Sequence, residues 1–177
     1  MVCLVPQAGG FDALWYGDCA ALVSRPGEGC EWVGQPVEAR AGEGDKARYF
    51  AEQTGLAPVE ALRQPEYRKY FQEARATING RGGSWLFSPD AAASEHVSHR
   101  HVNAPAGTEI LLCSDGFLAL LLYRLYRLED LVAAARSHGL ADLAAQLRAF
   151  EAGDADGREH PRFKTSDDTT AVLVRLT

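Results

Sequence analysis

"TEILLCSDGFLALLL", residues 108–122, sets an ionisable side chain between two segments that both belong in a core. The apolar run rises from Ile110 to Cys113, stops at Ser114-Asp115-Gly116 and resumes at Phe117-Leu118. A buried carboxylate is costly unless it is paired or bound to a metal, whereas Asp-Gly is also a common turn. The first run is short and apolar throughout, as in a buried strand, and the residues after Asp115 follow a helical period.

Upstream of this stretch, residues 2–5 (VCLV) and 12–16 (DALWY) read as short strands around Gly9-Gly10. Residues 20–24 (AALVS) follow the Gly17-Asp18 turn as a third strand, and Glu31-Trp32-Val33 adds a fourth. "MVCLV" has the character of the interior of a core strand. Pro, Gly and Glu mark a loop from 34 to 44, after which "DKARYFAEQTG" predicts a helix capped by Asp45 and closed by Gly55. "PVEALRQPEYRKYFQEARATING" continues helically, with a break or new first turn at Pro65 and a stop at Asn79-Gly80. "SWLF" and the alternating "HVSHRHV" predict strands. Beyond Asp115 come helical patterns through Leu128, Leu131 and Val132 and through Leu140, Leu143, Leu147 and Phe150. A polar loop, "EAGDADGREHPRFKTS", precedes a Thr- and Val-rich strand at 169–176. The order is strands, helices, strands, helices, strand: an α+β domain over residues 1–177.

Composition narrows the function classes. The chain has 177 residues, 46% hydrophobic and 24% charged, with a net charge of −6 and scattered basic residues. That balance argues against nucleic acid or an anionic membrane as the main partner. The apolar run from Phe117 to Tyr123 is too short to span a bilayer. No basic region followed by an apolar stretch and a cleavage site opens the chain, so the cytoplasm is the expected compartment. Cys3, Cys19, Cys30 and Cys113 form no C-x-x-C pair and are expected to be reduced, mostly buried thiols.

Three aspartates sit at the ends of predicted strands: Asp18 in "WYGDCAALV", Asp115 in "ILLCSDGF" and Asp167 in "SDDTTAVLV". Each alone reads as a turn Asp. If the strands are neighbours, three carboxylates meet at one sheet edge, an all-oxygen set suited to Mg²⁺ or Mn²⁺.

The ordered set Gly17-Asp18-Cys19, Ser114-Asp115-Gly116-Phe117 and Asp167-Asp168-Thr169-Thr170 resembles the type 2C, metal-dependent serine/threonine protein phosphatases. "RGGSW" at 81–85 is similar to that family's Gly-Gly before a strand. The resemblance implies two stacked antiparallel β-sheets flanked by helices, an α-β-β-α sandwich, with the metal site at one end of the sheets. It implies Asp115 and Asp167 as ligands of a paired Mn²⁺ or Mg²⁺ centre, Asp18 beside an additional, looser ion, and Asp168 as a neighbour. The implied reaction is attack of a metal-activated water on a phosphorylated protein, with no protein nucleophile.

The chain also departs from the family's pattern. It has Asp-Gly at 115–116 and 156–157 but none upstream of Asp18, so a further metal-binding Asp lacks a counterpart, as does the family's phosphate-gripping Arg. Cys19 and Ala20 stand where the family has Ser and Arg, and two helical segments at about 45–79 replace the usual Asp-His pair. The chain thus reads as the later two-thirds of such a domain, incomplete at the N-terminus, with a helical insertion. Arg162 and Lys164 in "PRFK" are candidates to hold an anionic substrate; a solvated loop is the alternative. The competing functional expectation is a catalytically impaired pseudophosphatase or interaction module of the same fold.

The remaining signals are weaker. His96, His99 and His101 lack a nearby cysteine to complete a zinc set and read as a polar strand. "GRGGS" and "DADG" read as turns, and Cys113 as core.

Overall fold

A computed structural model of the chain describes residues 1–35, 41–80 and 82–177. Their order is β1 (Val2–Gln7), β2 (Gly10–Trp15), β3 (Ala20–Ser24), β4 (Cys30–Gly34), α1 (Ala41–Thr54), α2 (Pro58–Ala61) and α3 (Pro65–Ala76). A 3-10 turn (Ala91–His96), β5 (Ser98–Asn103), β6 (Glu109–Cys113), α4 (Asp115–Leu122), α5 (Leu128–His138), α6 (Leu140–Gly153) and β7 (Ala171–Arg175) follow. The strands form two sheets, β1-β2-β5 and β4-β3-β6-β7, antiparallel throughout.

The four-stranded sheet is covered on both faces, which is why β3 and β6 show apolar runs rather than alternation. Ala21, Val23 and Ile110 point toward the three-stranded sheet and meet Phe11, Ala13 and Val102 in one cluster. Ala20, Leu22, Leu111 and Cys113 point the other way and pack against Phe117, Leu118, Leu131, Leu143 and Leu147 of α4, α5 and α6. Period-2 alternation thus sends successive residues of β3 into different cores. The fold is α+β, with two antiparallel sheets flanked by helices. No described helix is long and apolar enough to cross a membrane.

Several expectations need correction. "MVCLV" is not the interior of a core strand: β1 is a sheet edge, with Cys3 exposed and Val5 38% exposed on the face away from the core. "SWLF" forms no strand. Asn79 holds it locally, its amide donating to Ser84 O (3.0 Å) and its Oδ1 accepting from Leu86 N (2.7 Å), and Phe87 is left 66% exposed. Asp45 does not cap the first helix; α1 already begins at Ala41, and Asp45 pairs with Arg48 at 3.2 Å. None of the four cysteines is in a disulfide, but Cys113 alone among them is buried, Cys19 and Cys30 are half-buried and Cys3 is exposed. Burial, with help from Glu129 and Glu31, pushes the Cys30 thiol up to about 11. Within the predicted loop 34–44, residues 36–40 lie outside the described residues, as does Arg81 of "RGGSW".

The segment read as helical at about 45–79 consists of α1, α2 and α3, which build a separate small core. Phe50 is its centre, 4.1 Å from the Tyr67 ring and 5.9 Å from Phe163, and Phe163 lies 4.9 Å from Phe71. Phe163 belongs to the loop between α6 and β7, so this loop is not merely solvated but anchored in the helical cluster.

Candidate functional site

The sheet register brings the three aspartates to one end of the molecule. Ala20 at the start of β3 is opposite Cys113 at the end of β6, and Cys113 is opposite Ala171 at the start of β7. Asp18 precedes the first of these, Asp115 follows the second and Asp167 leads into the third. All three line a single cleft of about 1060 Å³.

Asp115 owes its position to the strand-to-helix change that its sequence context announces. Ser114, in extended conformation, ends β6, and Asp115 opens α4 at the positive end of that helix's dipole. The Ser114 side chain does not cap α4 but ties β6 to the chain entering β7. Its Oγ accepts from Thr170 N (3.0 Å) and donates to Asp168 O (3.4 Å), while Ser114 N donates to Thr170 O (2.9 Å). Asp115 is therefore half-buried at the rim of the cleft, where the dipole of its helix offsets its charge. The Asp-Gly pair is the start of a helix rather than a turn.

Asp18 is exposed and sits at a corner that Gly17 makes possible with φ +63°. Asp167 is half-buried: its Oδ1 accepts from Lys164 Nζ (2.7 Å) and from the Asp168 amide (2.9 Å). Burial pushes its carboxyl up, but the Lys164 and Asp168 hydrogen bonds and the charges of Lys164 and Arg148 hold it below the usual range. The same bond to Asp167, opposed by burial, raises the Lys164 ammonium above its ordinary value. Asp168 itself is exposed, and its carbonyl lies against the first turn of α4.

Arg162, expected as an anion holder, is a brace. It is 7% exposed, and its guanidinium donates to Asp154 Oδ2 (2.7 Å), to the carbonyls of His160 (2.9 Å) and Glu151 (3.2 Å), to the Asp154 carbonyl, and through Nε to Thr165 O (3.2 Å). Its donors are thus committed within the loop. Lys164 is exposed and stays at the cleft, paired with Asp167.

Two site residues escaped the sequence reading. Glu43, on the first turn of α1, lines the cleft with the aspartates. Withdrawal from solvent in the cleft, then the charges of Asp167 and Asp115, push its carboxyl up against the pull of Lys164. It falls in a stretch without apolar periodicity, so no pattern marks it. Arg148 of α6 holds the Asp167 loop, donating through Nη2 to Asp167 O and Thr169 Oγ1, both at 2.5 Å, and through Nη1 to Glu151. A surface arginine with a glutamate three residues on is an ordinary helical pair and gave no signal of this.

Among the described residues, no three His, Cys, Asp or Glu side chains stand close enough together to hold a metal ion. His99 and His101 project instead from the outer face of the three-stranded sheet, where His101 Nδ1 lies 2.8 Å from Asp12 Oδ1, and His96 stacks on Trp85 at 3.7 Å. No family model, curated protein or solved structure matches the chain.

Proposed function

We propose that this chain is a metal-dependent serine/threonine phosphatase domain of the type 2C kind, acting on phosphorylated proteins in the cytoplasm. The observation behind this reading is the row Ala20, Cys113, Ala171, which sets Asp18, Asp115 and Asp167 around one cleft although they are far apart in the sequence. The donors are oxygens throughout, the set that Mn²⁺ and Mg²⁺ take. When bound, such ions supply a water acidic enough at neutral pH to attack phosphorus, and a clamp on the charge that develops. Asp115 and Asp167 are the residues that would hold them, with Asp18 at the rim. Arg148 and Ser114 fix the backbone from Asp167 to Thr170 against α4, and Lys164 balances the negative charge of Asp167.

A second reading is a pseudophosphatase that binds partners without turnover. What favours it is the Lys164 ammonium on Asp167 at 2.7 Å, an organic cation already seated on one of the two principal carboxylates.

Calorimetric titration of the chain with Mn²⁺, together with hydrolysis of an aryl phosphate with and without EDTA, tests both. The enzyme reading expects weak Mn²⁺ binding and slow, EDTA-sensitive turnover, both diminished in Asp115→Asn and Asp167→Asn. Metal binding that neither substitution changes would overturn the carboxylate assignment, and binding without turnover would select the pseudophosphatase.

A further inference from the structure

Lys46 of α1 and Arg68 and Arg75 of α3 line the same cleft as the aspartates. Arg68, Gln72 and Arg75 are spaced four and seven residues along α3 and so form one stripe. Tyr67 and Phe71 pack into the Phe50 cluster, with Phe71 also lining the cleft beside the stripe, and so hold the stripe at the cleft.

Several of the basic groups around the cleft are paired internally. Arg48 pairs with Asp45, Lys69 with Glu73, Arg148 with Glu151, Arg162 with Asp154 and Lys164 with Asp167. Lys46, Arg68 and Arg75 form no ion pair among the described residues, and all three are exposed. In a chain of net charge −6, three unpaired cations along one cleft are a local reversal of sign.

We infer that this stripe is a docking wall for an acidic segment of the protein substrate, one bearing Asp, Glu or further phosphorylated residues beside the phosphate that enters the aspartate end. The assignment of the phosphate end rests on the proposed function; the cationic wall does not. A peptide fits both parts because it can present a single phosphate to one end and carboxylates to the other. A nucleic-acid backbone would bring a continuous row of phosphates past Asp18, Glu43 and Asp115, where like charge repels it.

Fluorescence anisotropy with labelled peptides on the intact chain tests this. The peptides share one phosphoserine mimic, a non-hydrolysable phosphonate, and differ in acidic, neutral or basic flanks. A fourth peptide has acidic flanks and plain serine. Each is measured in Mn²⁺ and in EDTA. The acidic flank is expected to tighten binding about tenfold over the neutral one, the sum of a few exposed ion pairs, and the gain should shrink at high salt. It should persist in EDTA and with plain serine, because the wall does not depend on the metal. Any extra gain from the phosphonate in Mn²⁺ reports separately on the phosphatase reading.

Arg68→Ala with Arg75→Ala should remove the acidic preference. Lys69→Ala, which removes one charge from the same helix but outside the cleft, should keep it. The double reversal Arg68→Glu with Arg75→Glu should transfer the preference to the basic flank, an outcome that misfolding cannot mimic. Equal binding of all flanks, no binding of any peptide, equal weakening by Lys69→Ala, or tighter binding of a single-stranded oligonucleotide than of the acidic peptide would each overturn the inference.

Discussion

The carbonyl oxygen of Asp168 passes 2.2 Å from the point that a Cβ on Gly116 would occupy. The glycine of "SDG" is therefore required by close approach of backbone rather than by an unusual dihedral, since the chain entering β7 lies directly on the first turn of α4. Gly116→Ala should push the Asp167-Asp168 segment outward. The expected cost is about 1–3 kcal/mol, read by urea unfolding, with faster amide exchange at Asp168 and Thr170. Gly153→Ala, where a Cβ would meet nothing, should cost no stability.

Asp154 is the hub of the loop that follows α6. It is buried and accepts from the Glu159 amide (3.1 Å), the His160 amide (3.0 Å) and the Arg162 guanidinium (2.7 Å). Burial pushes its carboxyl up, but those three donors outweigh it and hold it below the usual range. A carboxylate held low contributes stability that is complete above its unfolded value and is lost as pH falls through its folded one. Urea midpoints should therefore fall as pH drops below about 4. Asp154→Asn, which leaves a buried guanidinium uncompensated, should cost about 3–5 kcal/mol at neutral pH and should flatten that acid limb.

Arg148 acts on the site through the backbone it holds. Arg148→Ala frees Asp167 O and Thr169 Oγ1 and removes one of the charges that lower the Asp167 carboxyl. The Asp167 pKa should rise, as followed by carboxyl carbon NMR, and stability should fall by about 1–3 kcal/mol. An unchanged Asp167 titration would show that Lys164 and the Asp168 amide suffice.

The two-faced burial of the four-stranded sheet makes its own prediction. Leu111 is fully buried against the helices, so Leu111→Ala should cost about 2–5 kcal/mol. Val5, on the exposed face of the edge strand β1, should lose less than about 0.5 kcal/mol when changed to Ala. Thermal melts of the two variants check the contrast.

Much of this architecture is legible in the sequence because burial writes a period. The runs at 20–24 and 110–113 and the helical spacing of Leu131, Leu143 and Leu147 each reflect a face that must be covered. The ends of elements are less legible, since they depend on which partner a polar side chain finds. Asp45 could cap a helix or pair with Arg48, and the sequence does not choose between them. The "SWLF" segment has a strand's composition, yet Asn79 folds it back into a loop. At the site, the aspartates are visible because each interrupts an apolar context. Glu43, Arg148 and the committed state of Arg162 are not, since each arises from contacts across elements that leave no local pattern.

Phe163 is one aromatic ring in a long loop, but it is also a hinge pin. It stacks on Phe50, meets Phe71 edge-on, and is adjacent in sequence to Lys164, which grips Asp167. The helices and the aspartate end therefore meet along this loop, which also touches α2 where Val59 N donates to Asp156 O. Linkage makes any exchange between them symmetrical: whatever factor a ligand on the helices imposes on binding at the aspartate end, binding there imposes on that ligand in return. Removing the ring, as in Phe163→Ala, should weaken that exchange without abolishing it.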